Sequence, residues 1–530
     1  MRRWLSVVLR VFAVCASLVS PMRAAGDTSR LLPEKVMVYV EVRSPKEILA
    51  VADDWLKDLG GRNANPLDGA LTELAQDLGM TAGELRAQIR KMKSIAFAIT
   101  DIDPKLEEPV FVWVADMGEA RVLRDALQRQ LKSLSERPVA TVSDVAVYSD
   151  GGDFACVVGN YVLSGRHRLE LVKDVVRRIK GEVAPSLAVS VRFRTATAAV
   201  HPHSPLVVWA DVKSFYGYLK THEAENDDLA VLDAALDLAT IDSAVGELST
   251  TGGAKVAKWT VHLHGENRGY AAVRTTAAPR TVTRFFSADY AVVNAGTLVD
   301  GRTQWRRLKA LVGRLQAIEE EGEFVTWVGV LEDKLKTKID EELANVAEYA
   351  AGLRVGRDGW EKGPELLFVL KVMDVNRARG LMRKAEDAAR AGSENLRIDE
   401  KDVAGVKVRF LRGEEAESDY AYAIVGTHLL LSTSVAAVSD AVRTYLGQDK
   451  CIFDEPGARK VLANIHPVNA KVLLVQPLGF LPTGPRNPHA PPPVMLGAST
   501  IETPRRLDLQ VDCTHLGSLL RLWLGIATVK

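Results

Sequence analysis

The residue types best suited to chemistry gather in two short stretches. In HPHSPLVVWADVKSF, residues 201–215, His201 and His203 flank a proline ahead of an apolar run. In WTVHLHG, residues 259–265, His262 and His264 alternate along an expected strand, so both point to one face. Imidazoles at i and i+2 on a strand are a usable ligand spacing, and four together could hold a zinc ion. His201, His203, His262 and His264 are thus the one metal-ligand set the sequence offers. No Cys/His cluster has zinc spacing, and no GxSxG elbow, GxxxxGK[ST] loop or Rossmann glycine pattern occurs. No catalytic residue is assigned and no cofactor is expected. The carboxylate pairs Asp53-Asp54 and Asp227-Asp228 fall in helical stretches, where solvated charge is the expectation.

The elements that must carry these residues recur, and the recurrence tests the metal set. HPVNAKVLLVQPLGF at 466–480 aligns without a gap to 201–215, keeping His466-Pro467 but placing Val468 opposite His203. The shared feature is a turn before a strand, since proline presets φ and pushes the residue before it to extended geometry. LDLQVDC at 507–513 pairs with 259–265, which puts Thr260, His262 and His264 on the face of Asp508, Gln510 and Asp512. That pattern predicts a solvated polar face, with Trp259, Val261 and Leu263 inward.

Further pairs stand in the same order. CVVGNYVLSGR (156–166) matches AIVGTHLLLST (423–433), with Gly159 on Gly426, and VFVWVADMGEARVLRDAL (110–127) matches LLFVLKVMDVNRARGLM (366–382). The offset stays between about 248 and 267 residues, as loop insertions in a tandem duplication would give. Each half reads as a strand, one or two helices, a pair of strands, a helix, a hairpin, a helix, a strand, a helix and then strands. Ser44-Pro45-Lys46-Glu47 is a helix start: hydroxyl cap, proline at the first position, glutamate three residues on. Tight turns between neighbouring strands imply antiparallel pairing. The expected fold is α+β: two tandem homologous domains, each a mainly antiparallel sheet with helices on one face. The boundaries are a signal peptide at 1–25, a first repeat at 30–268, a linker at 269–287 and a second repeat at 288–530. The Pro-rich stretch at 482–493 is expected to be an exposed connection.

Arg2 and Arg3, the apolar run from Trp4 to Val19 and the small residues Ala24-Ala25-Gly26 form an export signal, cleaved near Ala25. Lys plus Arg and Asp plus Glu both total 68. Without a basic excess, nucleic acid is excluded as a partner. Cys156, Cys451 and Cys513 make no disulfide framework, and a Cys451–Cys513 pair is left open.

The signal followed by LLPEKVMVYVEVRSPKEIL at 31–49 resembles a group of exported bacterial proteins of unknown function, abundant in planctomycete-type bacteria. Their mature chains open with Leu-Pro, a Y-V-x-V strand and a helix, and carry hairpins like VVGNYVLSG and IVGTHLLLSTS here. The resemblance is strongest in the first 50 residues and the two hairpins. It implies an exported, periplasmic or envelope-associated protein with duplicated α+β domains, and it carries over no catalytic residue. The expected function is that of a non-enzymatic binding or scaffold protein of the cell envelope. Its candidate partners are envelope proteins, and membrane contact is expected only if the N-terminal segment stays uncleaved. The alternative is a periplasmic hydrolase, metal-assisted if the four histidines are ligands.

Overall fold

The computed structural model describes residues 28–59, 66–103, 108–134, 137–182, 185–222, 227–250, 254–269, 281–298, 300–319, 324–355, 363–392, 396–412, 420–464, 471–476, 496–503 and 505–514. The N-terminal segment read as an export signal, the Pro-rich stretch, His466-Pro467 and the C-terminal residues lie outside them. The described chain forms two compact units. The first takes the residues up to His222 and Ile241–His262; the second takes those up to Thr240 that follow His222, and Leu263 onward.

The first unit is an antiparallel sheet. β1 (Val38–Val42) lies between β2 (Ser94–Asp103) and β8 (Leu206–Ala210). From β2 the ladder continues through β3 (Glu108–Asp116), β7 (Tyr161–Arg166), β6 (Asp153–Val158), β5 (Val145–Asp150) and β4 (Ala140–Val142). On the other side β8 pairs with β9 (Ile241–Ser249), which meets β10 (Val256–Leu263).

Alternation along the strands divides the core. Ile95, Phe111, Trp113 and Ala115 point one way, against α1 (Pro45–Leu59), α2 (Pro66–Asp77), α3 (Ala82–Ile89) and α4 (Arg121–Leu134). Ala96, Ala98, Val112 and Val114 point the other way, against α5 (Leu169–Ile179) and α6 (Val191–Thr197). The α+β antiparallel arrangement expected from the sequence is therefore what the chain adopts, with one refinement: helices cover both faces. The reason is visible in β3, where VFVWVA is apolar at every position and must be dry on both sides.

Local signals fix the helix starts. Pro45 opens α1, and the Ser44 hydroxyl donates to Glu47 Oε1 at 3.3 Å. At α3 the capping box is complete: Thr81 Oγ1 accepts from Glu84 N at 3.2 Å, and the Glu84 carboxylate accepts from Thr81 N at 2.8 Å. α7 (Val212–His222) starts on Asp211, whose Oδ1 accepts from Ser214 N at 3.0 Å.

The second unit repeats this order strand for strand. β11 (Val292–Thr297) lies between β12 (Val346–Val355) and β18 (Lys471–Val475). The ladder runs from β12 through β13 (Pro364–Val372), β17 (His428–Ser432), β16 (Tyr420–Val425) and β15 (Val406–Arg412) to β14 (Arg397–Val403). β18 continues to β19 (Leu496–Thr503) and β20 (Arg506–Asp512). Register repeats as well. Val38 pairs with Ile99 and Val292 with Leu353, an offset of 254 in both strands. Asp116 pairs with Tyr161 and Lys371 with His428, offsets of 255 and 267. Gly159 and Gly426 both turn at φ +57.

Its helices include α9 (Gly301–Glu319), α10 (Phe324–Leu335), α11 (Ile339–Leu343), α12 (Val375–Gly392), α13 (Val435–Tyr445) and α14 (Pro456–Asn464). One face carries the large core, with α13 and α14 over Leu367, Val369 and Val408. The other holds a small cluster under α12, around Val372, Ala378 and Leu429. Phe368 on that second face is 45% exposed, whereas Trp113, at the same place in the first unit, is 7% exposed.

Two boundaries differ from those read in the sequence. Val282, Phe285 and Phe286, placed in the linker, are fully buried in the second core. Their polar neighbours hid them in a segment whose composition resembles a loop. α8 (Asp227–Leu236), placed in the first repeat, belongs to the second unit. Asn267 anchors its end, donating to Leu236 O and to Thr240 Oγ1, both at 2.8 Å. These are tertiary hydrogen bonds with no sequence signature.

Candidate functional site

The histidines resolve first. His201–Ser204 is a turn closed by Ser204 N donating to His201 O at 2.9 Å, and His201 Nδ1 accepts from His203 N at 3.3 Å. Glu247, on the neighbouring β9, holds the turn from outside. Its Oε2 accepts from His201 N at 2.7 Å and from Ser204 Oγ at 2.5 Å, while Lys258 lies 3.4 Å from Oε1. Both imidazoles are exposed. Beyond the turn, Trp209 is buried in the core, and Asp211 accepts from Arg192 at 2.5 Å. Among the described residues no group of three or more His, Cys, Asp or Glu side chains is arranged to hold a metal ion. The structure therefore does not assemble His201, His203, His262 and His264 into a ligand set.

β10 also departs from the alternation read in its sequence. Trp259 is 39% exposed and Thr260 is buried. The Trp259 ring lies over Gly246 on β9, where an added Cβ would come within 2.7 Å of it. A glycine opposite an aromatic lets the ring pack flat on the open face, so the tryptophan is sheltered by backbone instead of core. No disulfide joins Cys451 to Cys513. Cys451 Sγ donates to Thr283 O at 3.4 Å, and Cys513 Sγ donates to Val511 O at 3.6 Å. Burial pushes the Cys156 thiol up to about 12, an inert core sulfur. Asp53 accepts twice from Arg86, at 2.6 and 2.7 Å, and Asp54 pairs with Lys255 at 3.2 Å. That carboxylate pair is committed to tying elements together.

The site that sequence reasoning missed lies in the second unit, between α12 and the β15–β16 hairpin. It is a solvent-open cleft of about 460 Å³ lined by Arg379, Met382 and Arg383 from α12, Gly405 to Lys407 and Arg409 from β15 and its turn, and Tyr422 and Ile424 to Gly426 from β16 and its turn. At its base Glu386, a buried carboxylate, accepts from Tyr422 Oη at 2.5 Å and forms an ion pair with Arg409 Nη1 at 2.9 Å. Arg409 Nη1 also reaches Tyr422 Oη at 3.3 Å. Burial first, then the hydrogen bond to Glu386, pushes the Tyr422 phenol up to about 12. Tyr422 therefore stays neutral and serves as a fixed donor.

The first unit shows what this corner looks like without polar groups. Arg409 faces Tyr422 at the ladder position where Tyr148 faces Ala155. On α4, Leu123, Leu127 and Leu131 repeat every four residues toward the sheet, and on α12 the series is Ala378, Met382, Glu386. Leu131, Tyr148 and Ala155 all belong to one apolar core. The second unit exchanges that packing for a buried carboxylate, a guanidinium and a phenol. A buried polar group must be satisfied or it costs stability, so such an exchange is dear unless used. The only sequence trace was the polar Glu386 within an otherwise apolar four-residue series.

No protein-family model matches the chain, and no curated protein matches it. Solved structures of TP0453 are similar in part. Crystal forms III and I share 8% identity, cover 46% of this chain and 81% of that one, and give TM-scores of 0.26 and 0.25. Crystal form IV shares 7% identity over 47% of this chain and 83% of that one, with a TM-score of 0.25. At these values the likeness carries neither a fold nor a function.

Proposed function

We propose that the chain is an exported, non-enzymatic binding protein of the cell envelope, built by duplication, with its ligand seat in the cleft between α12 and the β15–β16 hairpin. The observation that carries this reading is the exchange of an apolar corner for the Glu386–Tyr422–Arg409 triad beneath an open cleft. A ligand pocket is usually a concavity with an apolar lining and a few fixed polar groups, and volumes of roughly 300–1,000 Å³ are usual for such sites. Met382, Val406 and Ile424 supply the apolar lining here. Duplication is supported by the shared strand order and register, and export by the Arg-led apolar N-terminus.

The test has three parts. Fractionation of cells carrying a C-terminally tagged chain should place it outside the cytoplasm, and a cytoplasmic pool alone would remove the envelope from the reading. A thermal-shift screen of small metabolites should find a stabiliser for the purified protein that is lost in Met382→Trp and Val406→Trp, both of which fill the cleft. Stabilisers that ignore both substitutions would place the seat elsewhere. Stoichiometric metal on the purified chain, lost in His262→Ala, would replace this reading with the metal-assisted hydrolase.

A further inference from the structure

The charge of the cleft narrows the ligand. Four cations line it, Arg379, Arg383, Lys407 and Arg409, and among the described residues no carboxylate lines it. The nearby carboxylates are already engaged. Glu386 serves Tyr422 and Arg409. Glu400 lies 2.7 Å from Lys407 and 3.9 Å from Arg409. Asp402 Oδ1 accepts from Gly405 N at 2.9 Å. On the helix side, Arg379 donates only to the neutral Asn376 Oδ1, at 3.2 Å, and no ion pair engages Arg383 among the described residues. Arg379 and Arg383 are exposed and stand one helical turn apart, on one face of α12. Arg409 leaves its Nε–H without a hydrogen-bond acceptor among the described residues.

Two uncommitted guanidiniums one turn apart, beside the apolar side chains of Met382, Val406 and Ile424, suit an anion with several oxygens and more than one charge. A single carboxylate would satisfy one fork and leave the other idle, whereas a phosphate monoester offers three oxygens and nearly two charges. We infer that the cleft binds a phosphate-bearing ligand, gripped by Arg379 and Arg383. This rests on the cleft being the ligand seat. The phosphate group can come from a soluble ester or from the headgroup of an anionic lipid, and both present the same chemistry to the cleft.

Isothermal titration of the full chain with inorganic pyrophosphate, and co-sedimentation with phosphatidylcholine vesicles with and without phosphatidic acid, separate the two sources. Binding is expected in at least one arm. Arg379→Gln and Arg383→Gln should each weaken it about tenfold or more, the scale of one charge-assisted hydrogen bond. Arg194→Gln, which neutralises an exposed arginine of the first unit, should leave it unchanged. No binding in either arm at millimolar concentration, or an equal loss in Arg194→Gln, overturns the inference. A ligand lost in Met382→Trp and Val406→Trp yet kept in both arginine variants would also overturn it, while leaving the cleft as the seat. Pyrophosphate binding that survives cleft filling would overturn both.

Discussion

Arg354 concentrates more charge than any other buried side chain described in the second unit. From β12 its guanidinium reaches Glu365 at 2.6 Å and Asp289 and Asp440 at 2.9 Å, and it lies 5.3 Å from the centre of the Tyr290 ring. It thereby joins β12, β13, α13 and the segment leading into β11. Arg354→Met would leave three carboxylates around a dry position, and stranding buried charge typically costs about 3–5 kcal/mol. Denaturant unfolding should show a loss of that size, and a loss below about 1 kcal/mol, the level of an exposed pair, would mean that water reaches the site. Glu47 is a second buried charge, and its effect runs with pH. Burial pushes its carboxyl from the ordinary 4.5 up to about 7, against opposing pulls from Ser44 and Lys46. A carboxyl raised in the folded state binds its proton more tightly there than when unfolded. Its contribution is therefore complete below 4.5 and is lost as the pH rises through about 7. Glu47→Gln should flatten that decline, and melting curves from about pH 4 to pH 8 on both proteins read it directly. Parallel curves would show that Glu47 does not titrate in this window.

Turns and strands explain which elements were legible. The V-G-x-x hairpins were read correctly because the chemistry is local: Gly159 and Gly426 sit at φ +57, which a side chain adopts only under strain. Gly159→Ala and Gly426→Ala should each cost about 1–2 kcal/mol, the penalty for a Cβ in left-handed backbone. Because the two turns are the same, the two costs should agree closely, and a large disparity in unfolding free energy would deny their equivalence. The start of α1 at Pro45 and the turn at His201–Ser204 were legible for the same reason. Where the sequence misled, a distant residue decided. Trp259 faces outward because Gly246 on another strand gives it a bed. The helices take both faces because β3 is apolar throughout. The triad in the cleft draws on a helix and two strands, 36 residues apart between Glu386 and Tyr422, so no spacing rule would have joined them.

At the scale of the molecule, the repeat reaches further than the sequence alignment. It extends into the segments that precede each sheet. Pro33 bridges to Ser186 and Ser287 to Cys451, and Leu187 N donates to Leu32 O as Ile452 N donates to Phe286 O. Little sign of this shows in the sequence, because the residues at the matching positions differ. At an offset of 254 the first unit has Leu32, Val36 and Ala98 where the second has Phe286, Tyr290 and Gly352. Larger side chains in the second unit coincide with the loss of a methyl group from the strand. A Cβ on Gly352 would lie 2.4 Å from the Phe286 ring and 2.7 Å from that of Tyr290. Close-packed cores tolerate exchanges that conserve volume and resist additions, with overpacking costing about 1–3 kcal/mol. Gly352→Ala alone should lose that much. Adding Phe286→Leu restores two of the first unit's three residues and relieves the nearer clash. The double variant should therefore be more stable than the sum of the two single losses predicts, by about 0.5–3 kcal/mol of coupling. Tyr290 still presses on the new methyl, so recovery stays partial. Strict additivity in a double-mutant cycle would mean that the two positions changed independently, and the repeat would then be one of topology without shared packing.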